Sequence, residues 1–243
     1  MRAIITGHSA GLGAALSAAL LERDFRVLGL SRRSCEPLRT RFGNHLHEWH
    51  LDLADPEAIG NLLSGPDWQT FCATDETILL INNAGVLQPI DPVGQQGAER
   101  IARAVAVNVT APLVLTDAFE ASTRRSPDRR VMHISSGAAR TAYAGWSIYC
   151  ATKAALDHHA RATREDGREG LRIASVAPGV IDTGMQDQIR AVETDRFPSV
   201  ERFRRLKSDG HLQTPEASAA RLVGYLLGEG YGSEAVMDIR DLG

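Results

Sequence analysis

The fold is decided near the N-terminus by residues 3–23, which read AIITGHSAGLGAALSAALLER. The first apolar and β-branched residues predict a short buried strand, and the Ala- and Leu-rich run predicts a helix. The junction between them is the glycine-rich turn Thr6-Gly7-His8-Ser9-Ala10-Gly11-Leu12-Gly13. Glycines there let the backbone approach a pyrophosphate, whose charge is stabilised by free N–H groups and the helix dipole. The stretch predicts a dinucleotide-binding βα unit, with an ordinary tight turn as the alternative.

The rest of the chain repeats this alternation of short apolar runs and longer helical segments. Further strands are predicted at residues 26–30, 45–51, 77–81, 130–135, 172–177 and 235–239. Helices are predicted at 13–23, 56–63, 99–121 and 147–168, the second of them capped by Asp55 and begun by Pro56. We therefore expect an α/β fold: one Rossmann domain over residues 1–243, a doubly wound parallel sheet of about seven strands with helices on both faces.

One stretch departs from this rhythm. Residues 182–214 are polar, mixed in charge and separate the last two predicted strands. Long insertions in compact domains are often functional. We expect a lid over a substrate here, with a surface excursion that touches no ligand as the alternative.

Composition excludes several classes of partner. The chain has 43% hydrophobic and 23% charged residues and a formal net charge of −3, with charges interspersed. Neither a nucleic-acid footprint nor an apolar run of about 20 residues for a bilayer is visible. The separated Cys35, Cys72 and Cys150 argue against disulfides and zinc, and the histidines lack metal-ligand spacing. We expect a cytoplasmic protein with no metal, nucleic-acid or membrane partner.

The end of the second predicted strand discriminates between cofactors. It reads Gly29-Leu30-Ser31-Arg32-Arg33, with arginine where NAD-binding proteins usually carry a carboxylate. Arg32 offers charge-assisted bonds to the extra phosphate of NADP, and Ser31 adds a hydroxyl. Asp52-Leu53 follows the third strand, where the adenine is expected, although Asp52 is also placed to begin a helix. The residues predict NADP(H), with a solvated surface charge as the alternative for Arg32.

A possible catalytic pair lies in the predicted helix at 147–168. Tyr149 and Lys153 are four residues apart and share one face of the helix. An unperturbed tyrosine titrates at about 10, too high for ready proton exchange at neutral pH, and a nearby ammonium lowers that pKa. The pair suits proton donation, although the spacing is common by chance.

Further motifs complete the pattern. They are Thr6-Gly7-x-x-x-Gly11-x-Gly13, Asn82-Asn83-Ala84-Gly85, Asn108, Ser135-Ser136, Tyr149-x-x-x-Lys153 and Pro178-Gly179. In this order and spacing the chain resembles the short-chain dehydrogenase/reductase family over essentially its whole length. The resemblance implies that Tyr149 is the general acid of carbonyl reduction and that Lys153 lowers its pKa and holds the nicotinamide ribose. It also implies that Ser136, not Ser135, binds the substrate carbonyl, and that Asn108 holds a water linking Lys153 to solvent.

The resemblance also implies a cofactor-binding set. Its members are Gly7, Ser9, Gly11, Leu12, Gly13, Ser31, Arg32, Asp52, Leu53, Asn83, Ala84, Gly85, Tyr149, Lys153, Pro178, Gly179, Val180 and Thr183. Family members are typically dimers or tetramers, so a homodimer or homotetramer through the helices of Asn108 and Tyr149 is expected. Alternatives are another short-chain alcohol dehydrogenase, a 3-oxoacyl reductase, or a non-catalytic NADP(H)-sensing protein.

Within the family, the chain is most similar to the sepiapterin reductases and bacterial benzil reductases. The likeness is carried by residues 135–139, 145–150, 178–186, 201–206 and 236–239. It implies a small carbonyl substrate, an α-diketone or a pterin side-chain diketone, contacted by Ser136, Trp146, Tyr149, Met185 and Asp238. Core packing for Trp146 and an incidental strand-end carboxylate for Asp238 remain alternatives.

Overall fold

A parallel sheet forms the centre of the computed structural model, which describes residues 1–241. Its seven strands within those residues are β1 (Arg2–Thr6), β2 (Arg26–Ser31), β3 (Leu46–His50), β4 (Ile78–Asn82), β5 (Arg129–Ile134), β6 (Leu171–Ala177) and β7 (Val236–Asp238). Their order is β3-β2-β1-β4-β5-β6-β7, and each neighbouring pair is parallel. The order reverses between β1 and β4, where ligands bind at the carboxyl edge of such sheets.

The helices alternate with these strands. They are α1 (Gly11–Leu21), α2 (Glu36–Phe42), α3 (Pro56–Ser64), α4 (Pro66–Cys72), α5 (Ala98–Val105), α6 (Ala111–Ser122), α7 (Ser147–Glu165), α8 (Gly184–Arg190), α9 (Val200–Ser208) and α10 (Pro215–Leu227). A π-turn at Ala106–Thr110 joins α5 to α6. The predicted α/β fold and its strands are confirmed, with small differences at the strand ends.

The sheet separates two apolar cores because successive strand residues point to opposite faces. On one face Ile5 packs with Leu16 of α1 and Leu222 of α10. On the other, Ile4 packs with Trp68 of α4 and Phe119 of α6. All of these side chains are fully buried, and each contributes about 1.5–3 kcal/mol or more on removal from water. The two cores fix the helices on both faces of the sheet.

One helix combines the length and the hydropathy of a membrane span. It runs from Ala98 to Ser122 through the π-turn. Its Leu115 and Phe119 are fully buried against the sheet, and its Arg103 pairs with Asp52 at 3.0 Å. This packing accounts for its apolar composition, since a helix that packs in a protein core can be as long and as apolar as one that spans a membrane.

The segment predicted as a lid forms α8 and α9. Phe197 and Phe203 from this segment pack in a third apolar cluster with Trp146 and Tyr149 of the α7 region. At its base, the backbone N–H of Asp182 donates to the carbonyl of Gln213 at 2.8 Å. The segment is thus packed beside Tyr149, and its action as a lid remains a prediction.

Candidate active site

The glycine-rich turn forms a narrow cradle at the carboxyl end of β1. Gly7 has a φ of +71°, and a Cβ on Gly13 would lie only 2.0 Å from the Gly7 carbonyl oxygen. Helix α1 begins without a side-chain cap, so its first N–H groups remain for a ligand. The turn therefore fits the pyrophosphate of a dinucleotide.

Neighbouring residues hold this turn in place. The Thr6 hydroxyl accepts from the backbone N–H groups of Asn83 at 3.0 Å and Ala84 at 2.9 Å, and the Asn83 amide donates to the Thr6 carbonyl. Leu12 is buried in the core, so it offers a ligand only its backbone, whereas Ser9 is half-buried. Asn83 and Ala84 thus join the ends of β1 and β4 beside the cradle.

The residues expected at the adenosine end lie beside one another. Arg32 is exposed, whereas the Ser31 hydroxyl donates within the turn to the Arg33 carbonyl at 2.5 Å. Burial raises the pKa of Asp52, but the backbone hydrogen bond from Ala54 and the charges of Arg103 and Arg32 together lower it. Leu53 is buried in the core. Arg32 is therefore an exposed cation available to a phosphate here, next to the equally exposed Arg33.

The catalytic side chains expected from the sequence converge between β5 and α7. Tyr149 is buried beside the Ser136 side chain, whose hydroxyl accepts from the Ala138 N–H at 3.2 Å. The Lys153 ammonium lies 5.9 Å from the centre of the Tyr149 ring and donates to the Ile134 carbonyl at 2.7 Å. The structure thus brings a hydroxyl, a phenol and an amine together near the carboxyl end of β5.

Burial is the largest influence on the pKa values of both Tyr149 and Lys153. It raises the pKa of Tyr149 to about 12, against the lowering effect of the Ser136 hydrogen bond. It lowers the pKa of Lys153 to about 8, against the opposing charge of Asp157. Desolvation of the phenolate therefore sets the direction of the Tyr149 pKa among the protein's own groups, and its lowering by Lys153 stays a prediction.

Asn108 is held in the π-turn by contacts on both sides of its amide. Its Oδ1 accepts from the Val86 N–H at 2.8 Å, and its Nδ2 donates to the Val86 carbonyl at 2.8 Å and the Thr152 hydroxyl at 3.2 Å. A Cβ on Gly85 would lie 3.5 Å from both Asn108 Oδ1 and Lys153 Nζ. The missing side chain leaves space there, and one lone pair of Oδ1 remains for the expected water.

The loop after β6 reaches the glycine-rich turn. Thr183 Cγ2 lies 3.3 Å from the position of a Cβ on Gly11. Pro178 is buried, Gly179 has a φ of +82°, and the Val180 carbonyl accepts from Gln213 at 3.0 Å. The loop after β6 thus comes close to the glycine-rich turn at Thr183.

The residues expected to bind substrate are less exposed to a ligand than the sequence suggests. Trp146 is buried, stacks on Phe197 at 4.5 Å and meets Tyr149 edge-on at 5.3 Å, which favours its core-packing alternative. Met185 packs against the same cluster. The Asp238 carboxylate accepts two bonds from the Arg240 guanidinium at 2.7 and 2.8 Å, so it is already engaged.

The structure adds two buried groups that the motifs do not contain. His8 lies within the glycine-rich turn, with its Nε2 at 2.7 Å from a Glu48 carboxylate oxygen that also accepts from the Cys35 N–H. Asp157 lies one helical turn after Lys153 and is 3% exposed. The i, i+4 spacing from Lys153 to Asp157 is visible in the sequence, and it is the signal by which Asp157 could have been identified before the structure.

The chain is similar in sequence and fold to known proteins. A family model described as short chain dehydrogenase matches residues 1–194. The chain is 35% identical to benzil reductase ((S)-benzoin forming) of Bacillus subtilis (strain 168), over 98% of each chain. It is 32% identical to sepiapterin reductase of Rattus norvegicus, over 98% of this chain and 96% of that one. A short-chain dehydrogenase/reductase crystal structure from Burkholderia vietnamiensis is 43% identical, with a TM-score of 0.71 over 99% of both chains. The chain therefore belongs to the short-chain dehydrogenase/reductase family of oxidoreductases.

Proposed function

We propose that this oxidoreductase is an NADPH-dependent reductase of small ketones, and that benzil-like α-diketones are its substrate class. The observation that carries the proposal is the buried Tyr149 phenol, which lies beside the Ser136 side chain and the Lys153 ammonium. A cofactor in the glycine-rich cradle supplies a hydride. The protein's own groups supply the proton and the electrostatic field.

The chemistry follows from the protonation of these groups. With a pKa of about 12, Tyr149 carries its proton throughout the neutral range and can give it to an oxygen that becomes an alkoxide. The Ser136 hydroxyl donates to the same oxygen and polarises the carbonyl. Lys153 stabilises the phenolate left behind, because opposite charges attract strongly where water is excluded.

The choice of NADPH rests on the end of β2. Arg32 is exposed there, and residues 29–33 contain no carboxylate to accept from a ribose hydroxyl. A guanidinium forms bidentate bonds to phosphate, which NADPH offers and NADH does not.

The choice of an aromatic diketone rests on the surroundings of Tyr149. The rings of Trp146, Phe197 and Phe203 form a buried aromatic cluster beside it, and the half-buried Met185, which packs against that cluster, offers apolar surface to a substrate. A pterin would need an anchoring carboxylate, and Asp238 is neutralised by Arg240. Relatives carry both substrate names, benzil and sepiapterin, and this ion pair favours the former for this chain.

Assembly and location are part of the proposal. Val105 and Val114 are exposed on the helix that carries Asn108, where apolar side chains suit a homodimer or homotetramer interface. The free Cys35, Cys72 and Cys150 suit a reducing cytoplasm.

Absorbance of the reduced cofactor tests the proposal. NADPH and NADH are each supplied with benzil, a simple diketone, sepiapterin and an acetoacetyl thioester. We expect fastest oxidation of NADPH with benzil. Preference for NADH would overturn the Arg32 argument, and a fastest reaction with the thioester would support a 3-oxoacyl reductase instead.

Tyr149→Phe tests the proton donor, and Tyr143→Phe is its matched control. We expect Tyr149→Phe to bind NADPH normally but to lose about 10²- to 10⁴-fold in kcat. The Tyr143 hydroxyl bonds instead to Arg202 at 3.0 Å, so its loss should leave turnover near the wild-type value. Full activity in Tyr149→Phe would refute the assignment, and NADPH binding without turnover in the wild-type protein would support a sensing role.

A further inference from the structure

Asp157 is a buried carboxylate on the catalytic helix α7. It is 3% exposed and, four residues after Lys153, shares a helix face with that residue. Its Oδ1 accepts from the Ser135 hydroxyl at 2.6 Å and from the Ser175 hydroxyl at 2.8 Å. Ser135 follows β5 directly and Ser175 lies within β6, so this one oxygen ties α7 to the end of β5 and to β6.

Among residues 1–241, the direct contacts of Asp157 include an ion pair with the exposed Arg140 but no hydrogen bond from a cation. Its Oδ2 has no hydrogen-bond partner among residues 1–241. The nearest ion-pair partner, Arg140 Nε, lies 3.8 Å away, beyond hydrogen-bond distance. Two hydroxyl donors satisfy one oxygen but bring no positive charge. A buried carboxylate in this state needs a cation close by.

Lys153 is the buried cation on the same helix face as Asp157. Tyr149 on α7 and His133 on β5 also lie near the ammonium, and Arg140 faces the Asp157 carboxylate. Burial lowers the pKa of His133 to about 3, so that ring is neutral above pH 5. Tyr149 is also neutral there. Asp157 is therefore the group whose charge acts on Lys153 through the neutral range.

We propose that Asp157 is a positioning residue for the catalytic lysine: its carboxylate fixes α7 against β5 and β6, and its negative charge keeps the buried Lys153 ammonium protonated at neutral pH. The inference deepens the proposed function, on which the role of Lys153 rests. Burial alone would push the pKa of Lys153 below the value of about 8 that it has beside Asp157. Without that charge, a larger fraction of the lysine is neutral and cannot stabilise a phenolate.

The lysine content allows a direct test. Lys153 and Lys207 are the two lysines of the chain. Lysine labelled at the ε-carbon therefore gives two side-chain signals by NMR, and Lys207→Arg identifies that of Lys153. We expect the Lys153 signal of the wild-type protein to titrate near pH 8.

Asp157→Asn removes the charge and keeps the shape and an acceptor oxygen. We expect the Lys153 midpoint to fall by about one pH unit. The matched control is the double variant Ser135→Ala with Ser175→Ala, which removes both hydrogen bonds and leaves the charge. Its Lys153 midpoint should stay at the wild-type value. If Asp157→Asn fails to fold, Asp157→Ser removes the same charge with a smaller side chain.

Two results would overturn the proposal. One is an Asp157→Asn protein whose Lys153 midpoint is unchanged. The other is a serine double variant that shifts the midpoint as far as Asp157→Asn does, since the effect would then be structural. The titration needs neither cofactor nor substrate. Failure of the proposed reductase function would appear separately, as a wild-type protein with a normal Lys153 titration and no turnover.

Discussion

Replacing Gly13 by alanine places a methyl group where the glycine-rich turn has no room. The new Cβ would lie 2.0 Å from the Gly7 carbonyl oxygen and 2.6 Å from Asn83 Nδ2. Neither neighbour can retreat freely, because the Gly7 N–H donates to the Leu30 carbonyl at 2.7 Å and the Asn83 amide to the Thr6 carbonyl at 2.9 Å. The substitution must therefore displace the turn.

The magnitude follows from two opposing effects. Overpacking costs about 1–3 kcal/mol, and contact with backbone atoms favours the upper end. Alanine returns about 1 kcal/mol because it loses less backbone entropy than glycine in a helix. We expect a net loss of about 2 kcal/mol in the free energy of unfolding, which lowers the Tm by about 4–8 °C for a domain of this size.

Gly224 in α10 provides the matched control. A Cβ there meets nothing within 4 Å. Gly224→Ala should therefore gain about 0.5–1 kcal/mol and raise the Tm by about 1–4 °C.

Thermal unfolding of both variants checks the predicted changes in Tm, a decrease for Gly13→Ala and an increase for Gly224→Ala. Titration with NADPH then compares their affinities for the cofactor. Gly13→Ala should also bind NADPH more weakly, since the displaced turn is the phosphate cradle, whereas Gly224→Ala should bind it normally. A Gly13→Ala protein that is as stable as wild type and binds NADPH equally well would refute the reasoning.

Three further predictions concern single side chains. Arg32→Ala should lose charge-assisted bonds of about 1.5–3 kcal/mol, so kcat/KM falls about 10- to 100-fold for NADPH and not for NADH; an equal fall with both would count against Arg32. Arg240→Ala frees the Asp238 carboxylate, so the ratio of KM for benzil to KM for sepiapterin should rise; an unchanged ratio would exclude Asp238 as a pterin anchor. The pKa of His133 is lowered from 6.5 to about 3, so its contribution to stability is present above pH 6.5 and is lost as the pH falls towards 3. Urea unfolding should show about 2 kcal/mol less stability from this group at pH 5 than at pH 7. His133→Asn should abolish that difference. A difference that persists in the variant would show that another group causes it.

The sequence predicts the fold well where the physical signal is local. Buried parallel strands such as β1 and β4 are continuous apolar runs, and they stand out between polar segments. The helices missed by the prediction are α2, α4, α8, α9 and α10. The first three have only seven residues each, too few for a helical period to be recognised. Helix α10 carries the usual start signals, Thr214 as N-cap and Pro215 as first residue, and it begins directly after the predicted lid of residues 182–214, where no helix was predicted.

The candidate site is less predictable, because its details depend on tertiary contacts. Motif spacing identifies Tyr149, Lys153 and Ser136 as neighbours. It does not show that Phe197, distant along the chain, covers Trp146, which removes that ring from a pocket wall. Nor does spacing show that burial, not the lysine, dominates the pKa of Tyr149. Desolvation is a property of the whole packed structure and is not visible in a motif.

The distribution of amino groups has a practical consequence for the use of this protein as a biocatalyst. The catalytic Lys153 is buried, whereas the side chains of Met1 and Lys207 are 49% and 50% exposed. An amine-reactive support therefore meets the chain at its terminal amino group and on α9. Immobilisation through these points attaches the enzyme in few orientations and leaves the buried Lys153 amine unmodified.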